Sequence, residues 1–478
     1  MSGLVPVIGL EVHVQLGTRT KLFCGDLAEF GAPPNQNVCP VCLGLPGALP
    51  VLNARAVELA VRTALGLGCE VHEQSVFARK NYFYPDLPKG YQITQFDRPL
   101  ATGGTLAAPD EAGAVHAVRI RRIHLEEDAG KSLHDRLPGR TAIDLNRAGV
   151  PLVEIVTEPD VVSPAHARAV LGLLKQTLEY LEVSDCDMEK GSLRVDANVS
   201  LRPRAATRLG TKTEVKNMNS FSNVERALTF EIARQAESIA AGRAIVQETL
   251  LWDAARAEAR PMRSKEESHD YRYFPEPDLP PLVVESVRVH DWRAALPELP
   301  MQKELRFREA YGIPAYDAAV LAASRPVADY FEAVAGACGD AKAASNWVMT
   351  DVLGWINRNR KSIADLPITA PDLAELIRFV SDGTLSGSMA RQVFSTAAES
   401  GTPPRRIVES EGLAQIRDDE RLRAWVEAII RANADVVARY HAGETKLMSF
   451  FVGQVMKLSR GKADPRRTTE IVQELLGS

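Results

Sequence analysis

Polar and apolar residues alternate over 5–16, where Leu10, Val12 and Val14 are interleaved with Glu11, His13 and Gln15. A period of two is that of a strand with one face buried, so Glu11 and His13 are predicted to share the other face. Further β-rich stretches cover 115–125, 141–144, 152–157, 193–201 and 211–215, separated by Gly, Pro and Asn turn signals. Apolar residues near helical spacing predict helices over 54–67, 164–181 and 222–241. Strands broken by irregularly spaced helices point to an α+β fold rather than a doubly wound sheet. The proline-dense run Phe274-Pro-Glu-Pro-Asp-Leu-Pro-Pro281 reads as an extended connector. Beyond 297 the pattern is helical, over 300–311, 315–323, 326–338, 341–358 and 371–382, with more helices in a last region from about 404.

The chain has 478 residues, 45% hydrophobic and 25% charged, which is globular composition with length for two to four domains. A net charge of −5 excludes a uniformly basic nucleic-acid coat, yet six Lys or Arg against one Asp fall within 446–467. Lys446, Lys457, Arg460, Lys462, Arg466 and Arg467 there form a basic element suited to phosphate-backbone contact. Six cysteines in so long a chain make no disulfide framework, which suggests a reducing cytosol. The N-terminus lacks a basic and then apolar leader, and no stretch of about 18 apolar residues occurs. A cytoplasmic protein with no membrane anchor is expected.

The densest chemistry lies in His124-Leu-Glu-Glu-Asp-Ala-Gly-Lys131. A charge cluster is by default a solvated face. Here the Glu11/His13 strand and Lys80-Asn-Tyr-Phe-Tyr84, a cation flanked by aromatics, turn the reading toward a magnesium-nucleotide site. Gly130-Lys-Ser132 is no P-loop, because Leu125 stands where its first glycine belongs, and GxGxxG, GxSxG and HExxH are missing. The metal-proximal set is expected to be Glu11, His13, Glu126 and Glu214, with Asp128 and Asp196 as alternative or supporting ligands; His13 would orient a water or a substrate carboxylate. Lys80, Lys190, Arg147 and Lys216 are candidate phosphate contacts, and Asn146, Asn198, Asn217 and Asn219 could place hydroxyl and carbonyl groups, though any one of these asparagines could as well cap a turn. Tyr82 stands beside Lys80 as a candidate nucleotide contact.

Cys39-Pro-Val-Cys42 has the two-residue spacing that lets both thiolates reach one metal, with Cys24 upstream and Asp26 the nearest fourth ligand. A redox pair or unliganded thiols stay open, but the proline- and glycine-rich surroundings suit a structural knuckle better.

GLEVHVQL at 9–16, FGAPPN at 30–35, LPVLN at 49–53, RKNYFYPDLPKGYQITQ at 79–95, HLEEDAGK at 124–131, DLNRAGVPLVEIVTEPD at 144–160, EVKNMNS at 214–220 and DYRYFPEPDLPPL at 270–282 resemble the B subunit of the glutamine-dependent aspartyl/glutamyl-tRNA amidotransferase. The stretch VGQVMKLSRGKADP is similar to that family's tail. The resemblance implies activation of the side-chain carboxylate of Asp-tRNA(Asn) or Glu-tRNA(Gln) with ATP and Mg2+, then amidation. It implies a cradle-shaped catalytic domain of antiparallel sheet and helices over 1–292, a helical domain over 293–404 and a tRNA-binding tail over 405–478. It further implies an amidase A subunit and a small C subunit as partners in a heterotrimer, with no membrane. Zinc-bearing family members commonly show CxC before CPVC; Asp26 departs from that pattern and puts Zn2+ occupancy in question. Two rivals remain: a non-catalytic tRNA scaffold, which would not turn over ATP, and a zinc hydrolase built on Cys24, Cys39 and Cys42, which would work without ATP.

Overall fold

The computed structural model describes residues 3–262, 271–413, 418–459 and 463–477. They form two compact units, Met1–Pro300 and Met301–Ser478.

The first unit is built on β1 (Leu4–Gln15), β2 (Phe77–Asn81), β3 (Tyr91–Gln95), β4 (Val115–Glu127), β5 (Pro151–Thr157), β6 (Leu193–Pro203) and β7 (Thr213–Lys216). Its helices are α1 (Ala54–Gly66), α2 (Pro164–Tyr180) and α3 (Phe221–Ala240). A ten-stranded sheet runs β7-β6-β1-β5-β4 through its centre and is antiparallel there. Toward one edge, β7 pairs in parallel with Thr249–Asp253. Period-two alternation sends Leu10, Val12 and Val14 of β1, Ile123 and Leu125 of β4, Val153 and Ile155 of β5, and Val195 and Ala197 of β6 into one core, all at most 2% exposed. The apolar faces of α1, α2 and α3 complete that core. Slipping β1 by one residue would expose three fully buried aliphatic side chains, at roughly 1.5–3 kcal/mol each, and would bury Glu11 and His13. The register is therefore fixed by burial, and the polar face is fixed with it.

Helix starts follow local chemistry: Asn53 caps α1, Ser163 caps α2 and Ser220 caps α3, each side chain accepting from backbone N–H groups of the first turn. Three predictions need correction. The strand expected over 115–125 runs on through the acid run to Glu127. Within the proline-dense connector, Phe274–Pro275 pairs with β2, because extended X-Pro backbone can border a sheet where its missing N–H is not needed. The β2–β3 hairpin lies outside the predicted strands, each of its strands being only five residues long.

The second unit is helical. One core gathers residues from Phe307 to Val408 and another gathers Leu422 to Leu476. The single helix expected over 341–358 is instead Ala341–Trp347, a wide π turn at Val348–Val352, and Leu353–Asn359. Gly339, Gly401 and Gly412 end helices in the left-handed conformation. No helix among the described residues is long and apolar enough to cross a membrane.

Candidate active site

The polar face of the central strands assembles by register. Glu11 lies opposite Asp196, His13 opposite both Glu154 and Arg194, Glu154 opposite His124, and Asn198 opposite Glu214. Five strands thus place acids, two imidazoles and cations on one surface. His13 Nε2 lies 3.6 Å from Glu11 and 3.3 Å from Glu154, whose carboxylate also lies 3.4 Å from His124 Nε2 and 3.8 Å from Arg122. At the far end, Lys216 pairs with Asp196 at 2.7 Å and Glu214 at 3.1 Å.

The β2–β3 hairpin borders this face at β4. Lys80 Nζ stands 3.8 Å from Glu126, beyond hydrogen-bond reach, and 5.3 Å over the Tyr271 ring. Gln92 donates to Glu126 at 3.2 Å and accepts from the Tyr82 hydroxyl. Phe96 and Tyr273 stack at 4.0 Å, with Arg122 over the Phe96 ring. Glu127 turns instead to Lys89 at 2.6 Å and to the Ile93 N–H.

Burial on this face makes charge the controlling quantity. Burial pulls the His13 imidazole down, but the hydrogen bond and charge of Glu154, helped by Asp196, outweigh it and raise the group to about 9. Burial pushes Glu154 up, yet His124 and His13 hold its carboxyl well below the usual range. Burial and the Glu154 charge raise Glu11. Lys80 is lifted well above the ordinary lysine value because Glu126 and Glu154 outweigh its burial.

Two donor trios, Glu11/His13/Asp196 and His13/Glu126/Glu154, have ligand atoms within 4.8 Å of one another. Glu126 Oε2 is buried with no hydrogen-bond partner among the described residues. An orphaned carboxylate oxygen amid acids fits a hard divalent cation, which takes carboxylate oxygens in preference to nitrogen.

The sequence-based candidates divide by position. Glu11, His13, Asp196, Glu126, Glu214, Asn198, Lys216 and Lys80 meet at this face, with Tyr82 at its hairpin border. Asp128 is held below the usual carboxylate range, burial being outweighed by Arg194 at 2.9 Å and Arg147 at 3.5 Å, and it also accepts from Gln15. Arg147 otherwise donates to the Ala129 and Gly130 carbonyls, and Lys190 pairs with Asp185 and Asp187. Asn146 clamps the backbone at Ala32, Pro33 and Asn37, Asn217 donates to the Trp252 carbonyl from a positive φ, and Asn219 accepts from Asn223. Glu154, His124, Arg194 and Gln92 are absent from the sequence-based set. The signal for Glu154 is one acid in the centre of an otherwise apolar strand, which burial in a core could not tolerate unpaired.

Cys24, Asp26, Cys39 and Cys42 also converge within 4.8 Å, bearing three sulfurs and one carboxylate. This is a four-donor set with the sulfur content that Zn2+ favours. The Cys39 N–H donates to Cys42 Sγ at 3.1 Å, and Asp26 lies 3.4 Å from the same sulfur. Hydrogen bonding from Cys24, against the cost of burial, brings the Cys42 thiol down to about 6. Cys24, Asp26 and Cys39 border a pocket of about 580 Å³ that Phe23, Val41, Leu49 and Val51 also line.

Among the described residues of the second unit, Lys446, Lys457 and Arg466 carry no carboxylate contact stronger than one 3.8 Å intrahelical pair at Arg466. Arg467 is tied to Asp419, Glu470 and Glu474. Arg460 and Lys462 lie outside the described residues.

Residues 6–290 match the GatB/GatE catalytic domain and residues 329–476 the GatB domain. The chain is 52% identical over 466 residues to a Pelodictyon phaeoclathratiforme protein, covering 98% of each. It is 49% identical over 477 residues to one from Myxococcus xanthus, covering 100% of this chain and 99% of that one. Both relatives are named as the B subunit of an aspartyl/glutamyl-tRNA(Asn/Gln) amidotransferase.

Proposed function

The chain belongs to the GatB family, the B subunits of Asp/Glu-tRNA(Asn/Gln) amidotransferases, and from that premise we propose that its acid-lined face is where the carboxylate is activated. As a family member it is a component of a glutamine-dependent carbon–nitrogen ligase serving translation by tRNA-dependent amidation. The finer reading is ATP-dependent. A side-chain carboxylate is a poor electrophile at neutral pH, so an oxygen of the Asp or Glu esterified to tRNA attacks the γ-phosphorus of ATP. ADP leaves and an acyl phosphate remains. Ammonia then attacks the acyl carbon, a proton is lost, inorganic phosphate departs and the amide forms.

The observation that supports this most is the orphaned Glu126 oxygen, in a donor trio with His13 and Glu154 that shares His13 with the trio of Glu11, His13 and Asp196. Mg2+ held there would neutralise phosphate charge and align the transfer. Glu11, Asp196, Glu126 and Glu154 are the residues that would hold it, with His13 as their shared neighbour. Lys80, at the rim beside Glu126, neutralises the phosphoryl group, and Lys216 does so at the Asp196/Glu214 end. Glu154 fixes His13 and His124 as a carboxylate between two imidazoles, so both rings keep their orientation when substrate enters. Arg147 and Lys190, engaged by backbone and by Asp185 and Asp187, serve the architecture of the loops instead.

Ammonia comes from glutamine hydrolysed by an amidase A subunit, with a small C subunit completing a cytoplasmic heterotrimer. The three-domain division at 292/293 and 404/405 accompanies this reading, the tail gripping tRNA phosphates through Lys446, Lys457 and Arg466. Against the scaffold alternative stands the desolvated acid cluster, which a passive surface would leave in water. Against the zinc-hydrolase alternative stands the four-donor cysteine set, which leaves no open position for substrate.

The test is Glu126→Gln in the reconstituted complex. Amide formation on mischarged tRNA should fall by about 10²–10³-fold, in the range of a lost transition-state charge contact, while glutaminase activity survives. Unchanged amidation with Glu126→Gln would overturn the assignment. Assaying Asp-tRNA(Asn) and Glu-tRNA(Gln) side by side establishes which is taken.

A further inference from the structure

Lys21 is a large side chain with no exposed surface at all, an unusual place for an ammonium. Its Nζ donates to the Asn37 carbonyl at 2.6 Å and lies 3.6 Å from Cys42 Sγ. Among the described residues it has no carboxylate within ion-pair distance, whereas Lys89 and Lys303, whose side chains are at most 8% exposed, have carboxylates at 2.6 Å. A buried ammonium without a counter-charge is strongly unfavourable, which calls for an anion beside it. The anionic partner within reach is sulfur.

We infer that Lys21 is the built-in counter-ion of a divalent, sulfur-preferring metal centre formed by Cys24, Asp26, Cys39 and Cys42. Three thiolates and a carboxylate around a divalent ion carry a formal double negative charge. An ammonium sealed beside one of the thiolates halves it, in the way that outer partners tune a metal's first ligands. Neighbouring elements hold Lys21 in place. Its backbone N–H donates to the Asp26 carbonyl, its carbonyl accepts from the Asn53 amide that caps α1, and its side chain runs beside Gly149 and Cys42. Asp26 enters the same charge balance. Replacing its carboxylate by an amide removes one negative charge, so the centre needs Lys21 less.

That coupling is the test. Zn2+ affinity of the full chain is measured by competition with a chromophoric chelator for wild type, Lys21→Met, Asp26→Asn and the double variant, with thermal unfolding of each apo and loaded form alongside. Wild type should bind about one Zn2+. Each single variant should bind about 10–100-fold more weakly. The double variant should lose clearly less than the product of the two single losses. Wild-type affinity in Lys21→Met, or losses that simply multiply in the double variant, would overturn the inference. If Lys21→Met fails to fold, chelation of the wild-type chain decides. Stripping the metal should lower the melting temperature and added Zn2+, not Mg2+, should restore it. An unaltered melt with no Zn2+ uptake overturns the inference equally. The outcome is independent of amidation, so it stands apart from the reading of the acid-lined face.

Discussion

Glu154→Gln removes one negative charge from between two imidazoles while nearly preserving volume. The magnitude follows from His13, which is raised from 6.5 to about 9 although burial alone would lower it. At about 1.4 kcal/mol per pH unit, the charge environment that Glu154 dominates favours the imidazolium by about 3 kcal/mol in the folded chain. Because the folded value lies above the unfolded one, that stabilisation is complete below pH 6.5 and is lost as pH rises through about 9. In Glu154→Gln the burial cost is opposed chiefly by Asp196, so His13 should titrate at 6.5 or below. The measurement is an NMR pH titration of histidine-labelled, chelator-treated protein. The chain has nine histidines, and His13 is assigned by its disappearance in His13→Gln. Urea unfolding of the first unit should show wild type losing about 3 kcal/mol between pH 6.5 and 9 and the variant losing little. A His13 resonance still titrating near 9 in Glu154→Gln would refute the argument that this carboxylate controls the site's charge.

Gly149→Ala places a methyl 3.4 Å from Cys42 Cβ and 3.5 Å from Lys21 Cδ on backbone at φ +85°. The conformational cost alone is about 1–2 kcal/mol, so thermal unfolding should shift downward; an unshifted melt would show that the loop relaxes freely. Replacing Lys446, Lys457 and Arg466 together by Ala should raise KM for mischarged tRNA and reduce the salt slope of binding by roughly one per lost phosphate contact. Adding Arg467→Ala to that set should change tRNA binding little, since its guanidinium is held by Asp419 and Glu470. A salt slope insensitive to all four would remove the tail from tRNA recognition.

Local pattern sufficed where the deciding interactions are local. Alternation in β1 announced that Glu11 and His13 share a face opposite Leu10, Val12 and Val14, because successive side chains in any strand must diverge. The periodicity of α1 and α2 announced helices for the same reason. The motif-level resemblance, carried by many short stretches in order, identified the family. Glu154, His124 and Arg194 could not be joined to His13 that way. Their meeting depends on β6, β1, β5 and β4 lying side by side, and that order is set by long-range pairing between segments far apart in the chain. Asparagines 146, 217 and 219 read equally well as site residues or as turn braces, and only their backbone partners in the fold distinguish the two. Lys21 is the clearest case. In sequence it is an ordinary lysine beside a cysteine loop, and only burial, which sums over every neighbouring element, turns its charge into a requirement that something nearby be negative.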